Sequence, residues 1–418
     1  MKDLEKKARA YALKNALAHD GKAQVGPVIS SLFNEGLNRN EAGKYAKEVS
    51  KIVNDVNKLN LEQQEKEFSE LKDITSEREA REGLQELPNV KKTGVIMRFA
   101  PSPSGPMHIG HAATSCISFL YVKKYGGKFY VRIEDTNPEN IYPPAYKMLE
   151  EESKWLFDGI AKIQIQSDHM KRYYEYADKL VKKKAAYVCT CSTDDFKKYV
   201  EQMKPCPCRD NSVKENIERW KKMLDKRPSQ VRSTSSKSQS KGFGEGEAVL
   251  RFKSENGMKD KNPAMRDFPL ARINLASHPR QNKKYRVWPL MNFSVSVDDI
   301  EDKMTHVIRA KEHIDNAKRQ KMIFKALGKE KQFPWTGFLG RYHFKDLELS
   351  ATQMRKDIEA KKYKGWDDQR LPTIASLKKQ GYKPSAFWKF AERVGLSEAD
   401  KVLDREEYFK LLDAFNRG

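Results

Sequence analysis

The segment spanning residues 95–133 constrains the fold more than any other. VIMRF (95–99) alternates like a strand, PSPSGP (101–106) is turn grammar, and an apolar helical stretch over about 109–124 stops at Gly126 and Gly127 before a second strand at 129–133. This is one βαβ unit of a nucleotide-binding α/β sheet. His108, Gly110 and His111 open the helix. A helix start offers free N–H groups and a positive dipole end to phosphate, a glycine there lets a base or ribose lie against backbone, and two imidazoles three residues apart reach one phosphate. In isolation such a pair would read as metal ligands or satisfied polar residues. The preceding strand and the glycine-bearing turn favour a phosphoryl group in transfer.

The chain has 418 residues and 48.4 kDa, room for roughly three domains at the usual ~150 residues each. No run of 18 apolar residues exists, and the first 20 residues lack the apolar centre of a signal peptide, so a cytosolic protein without membrane contact is expected. The net charge of +22 favours a polyanion. Residues 1–88 hold 15 basic and 16 acidic side chains, so residues 89–418 carry +23 and should meet the nucleic acid. A mixed Lys and Glu surface of thermophile type would explain the charged fraction but not this asymmetry. Residues 1–88 show helical apolar spacing (Ile29, Leu32, Phe33, Leu37; Val49, Ile52, Val53, Val56, Leu59) with breaks at Gly21, Pro27 and Gly36, and read as a small helical domain ending at Pro88. Residues 227–246 are rich in Ser, Lys and Gly and read as a flexible surface insertion. Four of the five cysteines form C-x-C, 14 intervening residues, C-x-C: Cys189, Cys191, Cys206 and Cys208. The set suits tetrahedral zinc, although C-x-x-C spacing would be the stronger sign, and free thiols are the alternative. Cys116, on the helix after His111, reads as a buried apolar residue.

PSPSGPMHIGH (101–111) resembles the HIGH signature of class I aminoacyl-tRNA synthetases, and RIEDTN (132–137) resembles the glutamyl branch. YRVWPLMNF (285–293), Asp298 with Asp299, THVIRAKEHID (305–315) and GWDDQRLPT (365–373) follow in register. The likeness spans residues 89–418 and is closest to archaeal-type glutamyl-tRNA synthetases, whose amino-terminal helical extension matches residues 1–88 in length and character. It implies a helical domain at 1–88, a Rossmann-type class I catalytic domain at 89–344 with an acceptor-binding insertion at about 185–275, and a helical stem-contact segment at 345–418. It implies a monomer that activates glutamate with ATP and Mg²⁺ and transfers it to the acceptor end of tRNA(Glu), with tRNA(Gln) a second acceptor left open. A short paralogue charging another RNA and a non-catalytic tRNA-binding protein are the alternatives.

By the same analogy His108 and His111 are catalytic, and Pro101, Gly105, Gly110 and Ser350 join them around ATP. Arg98 holds the glutamate side-chain carboxylate, Ser102 and Glu134 the α-amino end, and Asn292 and Arg309 complete the pocket. Independently of the family, Arg98 and Arg309 could each be structural ion pairs. Met291 stands where the family usually has Tyr. The segment matching the second signature is ELSATQM (348–354), with Ala351 at the key lysine and Gln353 two residues on, so Arg355, Lys356, Lys345 or backbone N–H groups are left to face the leaving pyrophosphate. Relatives continue beyond the position of Gly418 into anticodon-reading β-barrels, which leaves a cut chain or a short paralogue open.

Overall fold

The computed structural model describes residues 2–38, 41–75, 83–226, 242–347 and 349–418; most of the expected surface insertion (227–241) and Glu348 lie outside them. The chain divides into two units, residues 1–81 and 82–418. In the first, α1 (Lys2–Leu17), α2 (Val25–Asn34), α3 (Ala42–Val56) and α4 (Leu61–Leu71) bury Leu13, Val28, Leu32, Val49, Val53 and Val56 in a core of their own. Pro27 does not break a helix. It sits in the first turn of α2, where its missing N–H has no partner to lose. The division falls a few residues before the expected boundary because Leu84 and Leu87 pack in the core of the second unit.

That unit is built on parallel strands. β1 (Val95–Phe99) pairs with β2 (Gly127–Ile133), which pairs with β3 (Lys162–Ile165). The crossover α5 (Ile109–Tyr125) joins β1 to β2, and α6 (Ala145–Leu156) joins β2 to β3. Cys116 on α5 is fully buried, and burial pushes its thiol up. After α7 (Met170–Lys182) comes an antiparallel sheet of β4 (Ala186–Cys189), β5 (Val249–Phe252), β6 (Pro269–Ile273) and β7 (Val287–Pro289), with α8 (Thr193–Glu201) and α9 (Val213–Leu224) between β4 and β5. Antiparallel pairing sets this sheet, which ends at Pro289, apart from the parallel strands.

From α10 (Met291–Glu301) the chain returns through β8 (His306–Ala310), α11 (Ile314–Ala326) and β9 (Trp335–Leu339), parallel to β8. Thr305 joins the two parallel groups: its N–H donates to Ile96 O at 3.0 Å and its Oγ1 accepts from Ile96 N–H at 2.8 Å. The strand order therefore reverses between β1 and β8, and it is outside the carboxyl ends of strands at such a switch point that open α/β sheets carry their ligand crevice. β10 (Tyr342–Phe344) and the late β11 (Lys401–Leu403) form a small parallel pair. α12 (Ala351–Glu359), α13 (Ile374–Lys379), α14 (Pro384–Val394) and α15 (Arg405–Arg417) fill the carboxyl-terminal part. Ile374, Phe387, Phe390, Tyr408 and Leu412 share one core with β1, β2 and α5.

Candidate active site

The crevice collects its polar groups from strand ends. Arg98 sits at the end of β1, 5% exposed, and donates from Nε (2.7 Å) and Nη2 (3.0 Å) to the two carboxylate oxygens of Asp299 on α10. The fully buried Arg132 of β2 brings Nη1 to 2.8 Å of the same carboxylate and lies within 4 Å of Asp298, Asp302 and Glu134. Burial works against the charge on Asp299, but the two guanidiniums outweigh it and hold the group at about 2. Glu134, just past β2, keeps its N–H on Pro101 O at 2.9 Å; burial pushes its carboxyl up against the pull of Arg132, Arg98 and Arg309.

Arg309 closes the circle from the end of β8. Burial, followed by the charge of Arg98, lowers it to about 10. Its Nη1 donates to Gln320 Oε1 at 2.8 Å, and its buried Nε has no hydrogen-bond partner among the described residues. Asn292 donates to Asn316 Oδ1 (3.0 Å) and accepts from Gln320 (3.2 Å), whose Nε2 also lies 3.8 Å from the sulfur of Met291. Sequence reasoning missed Asp299 as the partner of Arg98, and Gln320 and Asn316 altogether. Only the Asp298-Asp299 pair left a trace, as a motif without a role. Arg98 is thus held in a buried ion pair, whereas Arg309 keeps a donor with no partner among the described residues. Ser102 is exposed in the turn above.

On the other side, His108 and His111 stack with ring centroids 3.7 Å apart and planes 20° from parallel. The His108 N–H points to His111 Nδ1 at 3.4 Å, and His108 Nδ1 is buried without a partner among the described residues. Burial lowers His111 to about 4 and, with the neighbouring His111, takes His108 well below its usual value, so both rings are neutral at pH 7. The second signature segment lies against this turn. A Cβ on Gly110 would come 3.1 Å from the His108 ring and 3.2 Å from Leu349, and one on Gly105 would come 2.9 Å from Ala351 Cβ and 3.2 Å from Trp366. Ser350 caps α12 by accepting from Gln353 N–H at 3.2 Å, which leaves the first N–H groups of that helix beside the histidine turn. Arg355 lies 5.5 Å from the Tyr142 ring, and Gln353 bonds Asp357. Of the expected site residues, Arg98, Glu134, Asn292 and Arg309 form one group, while Gly105, His108, Gly110, His111 and Ser350 form another; Pro101 lies between them.

The four cysteines of the insertion meet, although they come from different turns. Their sulfurs all lie within 4.8 Å of one another, with Cys189 to Cys206 at 3.8 Å and Cys191 to Cys208 at 3.9 Å. Four thiolates around zinc at ~2.3 Å define tetrahedron edges of about 3.8 Å, so the set fits that ion. Thr190 N–H and Arg219 Nη1 point at Cys208 Sγ from 3.4 and 3.5 Å, the kind of outer contact that steadies a thiolate.

A family model described as tRNA synthetases class I (E and Q), catalytic domain, matches residues 94–417. The chain is 40% identical to a glutamate–tRNA ligase of Methanocaldococcus jannaschii, the match covering 98% of this chain and 70% of that protein. It is 39% identical to one of Pyrococcus furiosus, covering 99% and 70%. A crystal structure of a glutamate tRNA ligase from Elizabethkingia meningosepticum in complex with its amino acid superposes with a TM-score of 0.52 at 20% identity, over 78% of this chain and 69% of that one, a likeness of fold.

Proposed function

Because this chain belongs to the class I tRNA synthetases of the glutamate and glutamine group, we propose that it is a glutamate–tRNA ligase whose amino-acid pocket lies between Arg309, Glu134 and Asn292 and whose nucleotide site is the histidine turn. The observation that carries this pocket is the buried Nε of Arg309, without a hydrogen-bond partner among the described residues, at the carboxyl ends of β1, β2 and β8. A guanidinium lowered by burial is stabilised by an incoming carboxylate. With Arg98 forked onto Asp299, Arg309 takes the glutamate side chain, and Arg98 supports the pocket by fixing the acidic α10 beneath it. Glu134 and Ser102 take the α-amino group. The glutamate α-carboxylate then attacks the α-phosphorus of ATP, pyrophosphate leaves, and the glutamyl group passes to the terminal ribose of tRNA(Glu), with tRNA(Gln) a second acceptor to be tested.

His108 and His111 donate hydrogen bonds to the α-phosphoryl oxygens as charge builds there; as neutral rings they need no proton transfer. Mg²⁺ bound with ATP neutralises phosphate charge. The N–H groups at the start of α12 face the leaving pyrophosphate in place of a lysine at Ala351. Cys189, Cys191, Cys206 and Cys208 hold a structural zinc that would tie the turns of the insertion together. No described helix is long and apolar enough to cross a membrane, and a cytoplasmic monomer is proposed. Glutamate-dependent ATP–pyrophosphate exchange, with and without tRNA, followed by assay of the tRNA 3′ end, tests the reading. No exchange under either condition would leave only RNA binding, and exchange without charging of tRNA would point to another acceptor.

A further inference from the structure

Beneath the histidine turn lies a carboxylate to which no role has been given. Glu152 on α6 is 7% exposed, and its Oε2 accepts the Met107 N–H at 2.6 Å. Among the described residues Oε1 makes no hydrogen bond of ordinary geometry, although the Ala375 amide also faces the carboxyl. Burial pushes the carboxyl up to about 8; the Met107 and Ala375 amides and Lys378 of α13 favour its charge, and Glu151 on its own helix opposes it. Burying an acid this way costs stability, and a neutral side chain of similar size would pack there without that cost.

Its contact lies at a sensitive place. Met107 is fully buried and directly precedes His108. From the other side the same stretch of backbone is held by residues 372–374: Ile109 N–H donates to Pro372 O at 3.0 Å, Ile374 N–H to Met107 O at 2.9 Å, and His108 forms a bridge with Thr373. Those bonds fix the turn along one edge only. The Met107 N–H goes to Glu152 instead, and without that carboxylate it would be a buried donor with no acceptor, free to seek another by rotating the Pro106–Met107 peptide that leads into His108.

We propose that Glu152 is a positioning residue of the nucleotide site, holding the Met107 amide so that the stacked imidazoles of His108 and His111 keep the orientation that meets the α-phosphoryl group. The inference rests on the assignment of the histidine turn to ATP. A positional error of about 1 Å at such a site costs on the order of 10²-fold in rate. The test compares two substitutions of similar size in the whole protein. Glu152→Gln keeps an oxygen for the Met107 N–H, whereas Glu152→Met fills the space without an acceptor; Glu152→Ala replaces the latter should the methionine not fold.

Glutamate-dependent pyrophosphate exchange is measured per folded molecule, folding being followed by thermal unfolding. The expected result is E152Q within about threefold of wild type, and E152M at least tenfold lower in kcat with the glutamate KM within about twofold. The proposal is overturned if E152M and E152Q behave alike, both active or both impaired, or if E152M raises the glutamate KM while kcat stands. Wild-type protein inactive in exchange would instead refute the ATP assignment itself, so the two failures are told apart.

Discussion

His108 and His111 stack face to face, and burial favours the uncharged form of each ring. Both are neutral in the folded protein, which gives two separable expectations. In catalysis, His108→Ala or His111→Ala should lower glutamate activation by ~10²-fold or more with ATP affinity changed far less, because the donors act on charge present only in the transition state; equal losses in rate and in ATP binding would refute it. In stability, a histidine lowered to about 4 binds its proton more readily unfolded than folded, so its contribution is lost as pH falls from about 7 towards 4. For His111 the loss between pH 7.5 and pH 5 should be about 2 kcal/mol. Urea unfolding of His111→Gln at the two pH values should show a correspondingly smaller drop than wild type. The arginines separate in the same manner. Arg309→Ala should raise the glutamate KM more than tenfold with little change in stability, whereas Arg98→Ala breaks a buried pair and should destabilise by ~3–5 kcal/mol, read as a lower urea midpoint. The pairing of Arg98 with Asp299 is not legible in sequence because the two stand 201 positions apart. Glu152 was hidden for a different reason, since it stands in a run of three glutamates that reads as a solvated helix face.

At the scale of elements, what local spacing encodes was readable and what long-range closure encodes was not. The strand, turn and helix from Val95 to Tyr125 follow from alternation, prolines and helical period, and the structure matches them nearly residue for residue. Nothing local says that Leu349 and Ala351 lie on Gly110 and Gly105. That contact can be tested: Gly105→Ala would place its Cβ 2.9 Å from Ala351 Cβ, so it should push the start of α12 away from the histidine turn and lower pyrophosphate exchange by about tenfold, with the thermal midpoint nearly unchanged. Unchanged exchange would show that this close approach is dispensable. The cysteine cluster is the reverse case, in which spacing alone left both zinc and free thiols open and the sulfur proximity fits the metal. Elemental analysis should find one zinc per chain, and Cys206→Ser should lose it and lower the thermal midpoint by at least about 4 °C. A metal-free protein of unaltered stability would restore the thiol reading.

Across the whole molecule, charge is the property that composition reported most faithfully and the fold explains least. The +23 of residues 89–418 requires that RNA binding weaken steeply with salt, since each phosphate neutralised releases counterions. Removing residues 1–81, which have a core of their own and almost no net charge, should leave the slope of log affinity against log salt unchanged within one unit; a large fall would place RNA contacts on that unit. The seam between the histidine turn and residues 372–374 has a consequence for the birth of the protein. Ile109 waits for Pro372, 263 positions later in the chain, and at ~5–20 residues per second the ribosome needs roughly 15–50 s to deliver it. Through that interval the nucleotide-binding turn is an unfinished apolar edge, so a nascent chain halted before residue 372 should capture general chaperones and no ATP.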